Sequence, residues 1–287
     1  MKIFFPRMTI IGVGLIGGSL ARVCKKNNLV DRVIGVGRTE ANLKRAKELD
    51  IIDEYCFDVK EGAENADLIV LATPVSSFVK IIKEISPCLK KGSIIIDVGS
   101  VKMGFLPQVE NHLPEGVHFV GTHPIAGTEK SGAEASFCEL FQNAKCIITP
   151  TPKTDKKALS IIEELWKLAG SNVIIMGPVR HDRILAAVSH LPHVIAYALV
   201  NTLVDVDNIE KDVLAFAAGG FKDFTRIASS SPEMWRDICM LNKAYVIDSI
   251  NQFKYNLELL KNMLEREDYT GLEEMFKKAK SIRDNMI

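Results

Sequence analysis

Met8-Thr9-Ile10-Ile11-Gly12-Val13-Gly14-Leu15-Ile16-Gly17-Gly18-Ser19-Leu20 is the stretch that decides the fold. Residues 8–11 form a short apolar run of the kind a buried strand carries, and residues 19–27 continue with helical spacing. A G-x-G-x-x-G spacing alone is common, but one that leaves a strand and opens a helix has a specific use. Gly12 permits the tight turn, Gly14 lets backbone approach a pyrophosphate, and Gly17 lets helix and strand pack closely. The helix N-terminus adds amide donors and a positive dipole for the phosphates. Gly12, Gly14, Leu15, Ile16 and Gly17 are therefore assigned to a dinucleotide.

Outward from this turn the chain alternates strand and helix. Residues 33–36 read as a second strand, and 20 residues past Gly17, where an acid usually holds the adenosine ribose, stands Gly37, followed by Arg38 and Thr39. Without the carboxylate there is less repulsion, and Arg38 offers a guanidinium fork to a 2′-phosphate, so NADP is favoured and NAD remains possible. A helix over 40–49 precedes a buried strand over 67–72, which ends in Thr73-Pro74, a turn suited to pass under adenine and ribose. A helix over 77–89 and a strand over 93–98 follow, ending in Gly99-Ser100-Val101-Lys102. Ser100 stands at a carboxyl strand end where a hydroxyl faces cofactor or substrate; it would equally serve as a helix N-cap.

An apolar strand over 117–120 runs into Gly121-Thr122-His123-Pro124-Ile125-Ala126-Gly127-Thr128-Glu129-Lys130-Ser131-Gly132. Its glycines and proline predict a shaped loop, and it gathers an imidazole, a hydroxyl, a carboxylate and an ammonium where α/β sheets bind ligands. Two further strands, 145–150 and 172–176, flank a helix over 155–169. The reading is an α/β chain: an N-terminal Rossmann-type, doubly wound parallel sheet over 1–176, followed by an all-helical domain over 177–287.

Helical spacing marks residues 181–190, 194–204, 211–218, 221–229, 232–264 and 270–286. So much apolar face in about 110 residues predicts packing against a second copy. Three clusters here carry chemistry. Ser189-His190-Leu191-Pro192-His193 breaks a helix with a proline, and lacking a neighbouring Cys or carboxylate it is not expected to hold a metal. Lys222 and Arg226, spaced i and i+4, suit a carboxylate-bearing ligand. Ser230-Ser231-Pro232-Glu233-Met234-Trp235 reads as a helix start whose Trp235 walls a ligand or joins the core.

Net charge is +0, which gives no reason to expect nucleic acid or an anionic membrane as partner. Hydrophobic content of 47% with 25% charged residues is that of a chain with a real core. The six cysteines are scattered without a C-x-x-C pair and read as reduced thiols. No signal peptide and no apolar run of about 20 residues is evident, so the expectation is a cytoplasmic protein without a membrane segment.

Together these motifs resemble the prephenate/arogenate dehydrogenase family of tyrosine biosynthesis: Gly12-x-Gly14-x-x-Gly17, Asp97-Val98-Gly99-Ser100-Val101-Lys102, His123-Pro124-Ile125-Ala126-Gly127, Ser189-His190-Leu191-Pro192-His193, and Gly220-Phe221-Lys222-Asp223 with Arg226. The likeness covers nearly the whole chain, and the two histidine motifs together are its most specific part. It implies hydride transfer from prephenate or arogenate to a nicotinamide with loss of carbon dioxide. It implies that His123 accepts the ring hydroxyl's proton, with Ser100 in support. Thr128, Glu129, Ser189, His193, Lys222, Arg226 and Trp235 would then bind the substrate. A homodimer joined through the helical domain is implied as well, and tyrosine is a candidate feedback ligand. Two other readings compete: a β-hydroxyacid dehydrogenase, which does not account for His123 and the histidine pair, and a non-catalytic NADP-sensing regulator.

Overall fold

A computed structural model describes residues 3–128 and 130–286. Eight strands form one sheet: β1 (Phe5–Ile11), β2 (Val30–Val36), β3 (Glu54–Cys56), β4 (Leu68–Leu71), β5 (Ile94–Asp97), β6 (His118–Pro124), β7 (Lys145–Thr149) and β8 (Asn172–Ile175). Their order is β3-β2-β1-β4-β5-β6-β7-β8. The chain leaves β1 toward β2 and later returns to its other side with β4, which opens a crevice at their carboxyl ends. Every pairing is parallel except β6 with β7.

Side-chain alternation divides the core between the two faces of the sheet. Met8, Ile10, Leu68, Val70, Ile94 and Ile96 go to one face, packed with Leu20 of α1 (Leu15–Lys26) and with Phe141 and Trp166. Ile11, Ile34, Ile69, Leu71 and Ile95 go to the other. Beyond α2 (Glu40–Glu48), that second face is covered by α3 (Val59–Ala63), α4 (Phe78–Ile85) and α5 (Leu106–Glu110). Trp166 lies on α6 (Lys156–Leu168), whose N-cap Asp155 accepts from Ala158 N at 2.8 Å. Fully buried side chains such as Phe78, Phe105 and Trp166 contribute roughly 1.5–3 kcal/mol each.

Beyond the sheet, α7 (Pro178–Leu185), a π-turn (Ala186–His190) and α8 (Leu191–Asp207) form a continuous helix. The π-turn ends two residues before Pro192, whose ring and missing N–H the regular ladder does not accommodate. This 30-residue helix is long and apolar enough, by length and composition, to cross a bilayer, contrary to the expected absence of such a run; Pro192 hid it by splitting the pattern. The helix expected over 211–218 is reduced to a 3₁₀ turn, Val213–Phe216, because Asp212 adopts φ 69°. Next come α9 (Gly219–Thr225), the 3₁₀ turn Arg226–Ser229, and α10 (Pro232–Leu241), capped by Ser231 with Pro232 in its first turn. Trp235 and Ile238 of α10 pack into the second face of the sheet core.

The single helix expected over 232–264 is two helices, α10 and α11 (Lys243–Glu265), separated at Asn242. By contact density the chain divides there into two compact units, 1–242 and 243–287. The second unit is a hairpin of α11 and α12 (Tyr269–Asp284), with Asp268 accepting from Gly271 N at 2.9 Å to cap α12.

Candidate active site

The glycine turn has the expected geometry. Gly12 lies at φ 102°, donates to Val36 O at 2.8 Å, and is pressed so closely on β4 that a Cβ would come within 2.6 Å of Ala72 O. The backbone nitrogen of Thr73 lies beside it as well, 2.8 Å from that Cβ position. A Cβ on Gly17 would stand 2.6 Å from Gly12 O and 2.7 Å from Ile10 Cγ2, so only glycine allows this helix–strand approach. At Gly14 a Cβ would meet nothing within 4 Å, and no side chain caps α1, whose first turn begins at Leu15 and Ile16. An open cradle backed by uncapped amides fits a dinucleotide pyrophosphate. Gly37, Arg38 and Thr39 lie between β2 and α2, with Arg38 and Thr39 exposed at the carboxyl edge of the sheet.

His123 is not in a loop. The Gly121–Gly132 segment was expected to be irregular, but β6 continues to Pro124 because β7 pairs with it antiparallel, His123 opposite Ile147. The imidazole is 8% exposed at the carboxyl end of β6, the same end of the sheet as Gly12 and Ser100. Its Nδ1 lies 2.8 Å from His181 Nε2, and His181 Nδ1 lies 2.7 Å from Asp182 Oδ1. Asp182 also accepts from Lys102 N at 2.9 Å and from Met103 N at 2.8 Å. Burial, and after it the Lys102 ammonium, hold the His123 pKa well below the ordinary histidine value. The imidazole is therefore held in its neutral form.

Beneath it lies a fully buried ion pair. Lys102 Nζ donates to Asp97 Oδ2 and to Gly99 O, both at 2.7 Å, while Asp97 also accepts from Gly99 N and Thr122 N. Asp97 and Lys102 both have 0% exposure. The pair pins the turn that carries Ser100 against the strand that carries His123. Ser100 itself is half-buried at the end of β5.

On α8, His193 Nδ1 donates back to Ser189 O at 3.0 Å, and the ring stacks on Trp235 with centroids 3.7 Å apart. Trp235 Nε1 is buried with no hydrogen-bond partner among the described residues. His190, fully buried, lies edge-on to the same indole and meets Asn242 Nδ2 at 3.1 Å; burial takes its pKa down to about 4. Asn242 also donates to Asp182 O at 2.8 Å. Lys222 and Arg226 are exposed, but they do not share one regular helix, since α9 ends at Thr225 and Arg226 opens a 3₁₀ turn. Thr128 is exposed and accepts from Lys130 N, and Glu129 lies outside the described residues. Among the described residues no group of three His, Cys, Asp or Glu side chains is arranged to hold a metal ion.

Sequence reasoning missed Asp97, Lys102, His181, Asp182 and Asn242. Asp97 and Lys102 were quoted as part of a motif without a role. The adjacent His181-Asp182 pair had no signal beyond lying in a helical stretch.

Comparison with known proteins places these features in a family. The model of the prephenate dehydrogenase nucleotide-binding domain matches residues 20–175, and that of the prephenate dehydrogenase dimerization domain matches residues 177–278. Prephenate dehydrogenase of Bacillus subtilis (strain 168) is 37% identical over 278 residues, covering 96% of this chain and 75% of the relative. Cyclohexadienyl dehydrogenase of Zymomonas mobilis is 35% identical, covering 97% of this chain and 95% of the relative. The crystal structure of Aquifex aeolicus prephenate dehydrogenase with hydroxyphenyl propionate and NAD+ is 39% identical with a TM-score of 0.94, covering 100% of both chains. With both domain models matched over residues 20–175 and 177–278, this chain belongs to the prephenate dehydrogenase family of oxidoreductases.

Proposed function

We propose that this chain oxidises prephenate to 4-hydroxyphenylpyruvate and carbon dioxide, passing a hydride to a nicotinamide dinucleotide held on the Gly12–Gly17 turn. One observation carries the reading: a buried, neutral His123 stands at the same carboxyl edge of the sheet as that turn. The bound dinucleotide supplies a hydride acceptor. As hydride leaves the ring carbon, its hydroxyl becomes a protonated carbonyl, a far stronger acid than imidazolium. A low-pKa imidazole therefore suffices as the proton acceptor. Decarboxylation then makes the ring aromatic.

The rest of the expected site serves a dianionic substrate. Ser100 and Thr128 offer hydroxyls, Ser189 and His193 line the helix side, and Trp235 backs it with a stacked wall. Lys222, Arg226 and Glu129 complete the polar set, the two cations receiving carboxylates. Arogenate differs from prephenate only in carrying an amino group where prephenate has a keto group, and the cyclohexadienyl dehydrogenase relative supports testing it as an alternative substrate. Gly37 and Arg38 favour NADP over NAD, although the similar Aquifex structure holds NAD+. Absorbance at 340 nm, with both substrates, both cofactors and tyrosine as added ligand, is the deciding assay. Absence of reduction in all four combinations would refute the reading.

We also infer a working division at residue 176/177 and a homodimer built on 177–287, in the cytoplasm. Val188, Leu199, Val204 and Val206 of the long helix are exposed in the single chain, and so are Leu257 and Leu264 of α11. The long helix also carries the buried polar network of His181, Asp182 and His190, which argues for a protein neighbour over lipid. Sedimentation at micromolar concentration should give twice the 31.8 kDa chain mass; a monomer would leave those side chains unexplained.

A further inference from the structure

We propose that Asp182 and His181 act as positioning residues that set the tautomer of His123, leaving its Nε2 bare toward the reacting hydroxyl. The inference rests on the proposed function only for the identity of that hydroxyl; the tautomer follows from the hydrogen bonds themselves.

The chain of reasoning starts at Asp182. Its carboxylate accepts from two backbone amides, Lys102 N on Oδ1 at 2.9 Å and Met103 N on Oδ2 at 2.8 Å, so both oxygens are engaged as acceptors. An ionised carboxylate only accepts, so the His181 nitrogen 2.7 Å from Oδ1 must carry its hydrogen on Nδ1. A neutral imidazole with hydrogen on Nδ1 has a lone pair on Nε2. That lone pair lies 2.8 Å from His123 Nδ1, which must then be the donor. The only nitrogen of His123 left without hydrogen is Nε2. Two rings in series, each forced by its neighbour, transmit the choice made at the carboxylate.

All three side chains are buried, so water does not scramble the sequence of donors. Their placement draws on distant parts of the chain. His123 comes from β6, His181 and Asp182 from α7, and the two amides from the turn pinned by the Asp97–Lys102 pair. Asn242 holds the Asp182 backbone carbonyl from a fourth direction.

The same geometry handles the proton after the reaction. The hydroxyl proton moves to His123 Nε2, giving an imidazolium that donates from Nδ1 to His181 Nε2. If the Nδ1 proton crosses to His181, the cation rests against the Asp182 carboxylate. No oxidant or co-reactant is needed, since one proton enters at Nε2 and one is later released.

Nitrogen NMR of the enzyme labelled with 15N-histidine reads the tautomers directly. Both His123 and His181 should appear as Nδ1–H, the form less populated in free histidine. Finding His123 with hydrogen on Nε2 in the wild-type protein would overturn the proposal, with or without any activity. Asp182→Asn removes the charge and one of the two acceptor oxygens, so the neighbour no longer fixes the tautomer of either ring. By analogy with catalytic triads, kcat should fall by roughly 10²–10⁴-fold. KM for substrate and affinity for NADH should stay within about threefold, a split that a general loss of structure would not produce. An Asp182→Asn enzyme that keeps its kcat within about threefold would refute the assignment. If that variant fails to fold, the wild-type spectrum still decides. If the wild type reduces no cofactor with either substrate, the function falls while the tautomer remains open to the same spectrum.

Discussion

Replacing Lys102 by Met tests the ion pair on which the site is built. The ammonium donates to Asp97 Oδ2 and Gly99 O at 2.7 Å, and both members of the pair are inaccessible to water. Methionine matches the stem but leaves a buried carboxylate without its counterion, a loss of about 3–5 kcal/mol. Asp97 keeps the amides of Gly99 and Thr122, which favours the lower half of that range. For a unit of this size each kcal/mol moves Tm by about 2–4 °C, so a fall of roughly 6–16 °C is expected. The pH dependence has a definite sign. Burial already raises the Asp97 pKa despite Lys102, and losing the cation raises it further. A carboxyl with a raised folded pKa favours the native state at low pH and loses that advantage as pH rises. The deficit of Lys102→Met should therefore shrink between pH 8 and pH 5. Adding Asp97→Asn removes the stranded charge, so the double variant should melt above the sum of the two single losses. Calorimetric melts of the four proteins at both pH values test this. A Tm loss below about 3 °C for Lys102→Met, or strict additivity, would refute the reasoning.

Four other perturbations extend the test. His123→Asn should lower kcat by roughly 10²–10⁴-fold with little change in cofactor affinity, measured at 340 nm; near-wild-type turnover would remove His123 as the base. Gly37→Asp should shift preference from NADP toward NAD, and Arg38→Ala should weaken NADP use alone, by roughly 10–150-fold in kcat/KM at most. Beside Gly37 the nearest atom to a new Cβ is Leu43 Cδ2 at 3.2 Å, the tip of a side chain that can give way. Equal loss with both cofactors would show that Arg38 does not read the 2′-phosphate. Acid should destabilise the wild-type fold. His190 titrates at about 4, against about 6.5 when unfolded, and His123, His181 and His193 are lowered too. The unfolded chain takes up protons first, so stability present above pH 6.5 is lost as pH falls, about 3 kcal/mol from His190 alone by pH 4. A Tm that does not change between pH 7 and pH 5 would contradict this.

Local signals were enough for the architecture. The Gly12–Gly17 turn, the buried runs of β1, β4 and β5, and the caps at Asp155 and Ser231 each act within a few residues, so their order in the chain is readable as strand, turn and helix. His123, Ser100 and the His190–His193 motif were readable for the same reason, as reactive groups set among glycines and prolines. What needed the folded chain were relations between distant segments. β3 is three residues long and exists by pairing with β2; His123 became a strand residue because β7 runs back along β6. The long helix expected over 232–264 breaks at Asn242, whose side chain bonds Asp182 O, 60 residues away. His181 and Asp182 are unremarkable in a helical stretch until the fold brings them to His123 and to the amides of Lys102 and Met103. Hydrogen bonds in a buried site are chosen by which donors and acceptors the sheet and helices bring within 3 Å, and no spacing along the chain encodes that meeting.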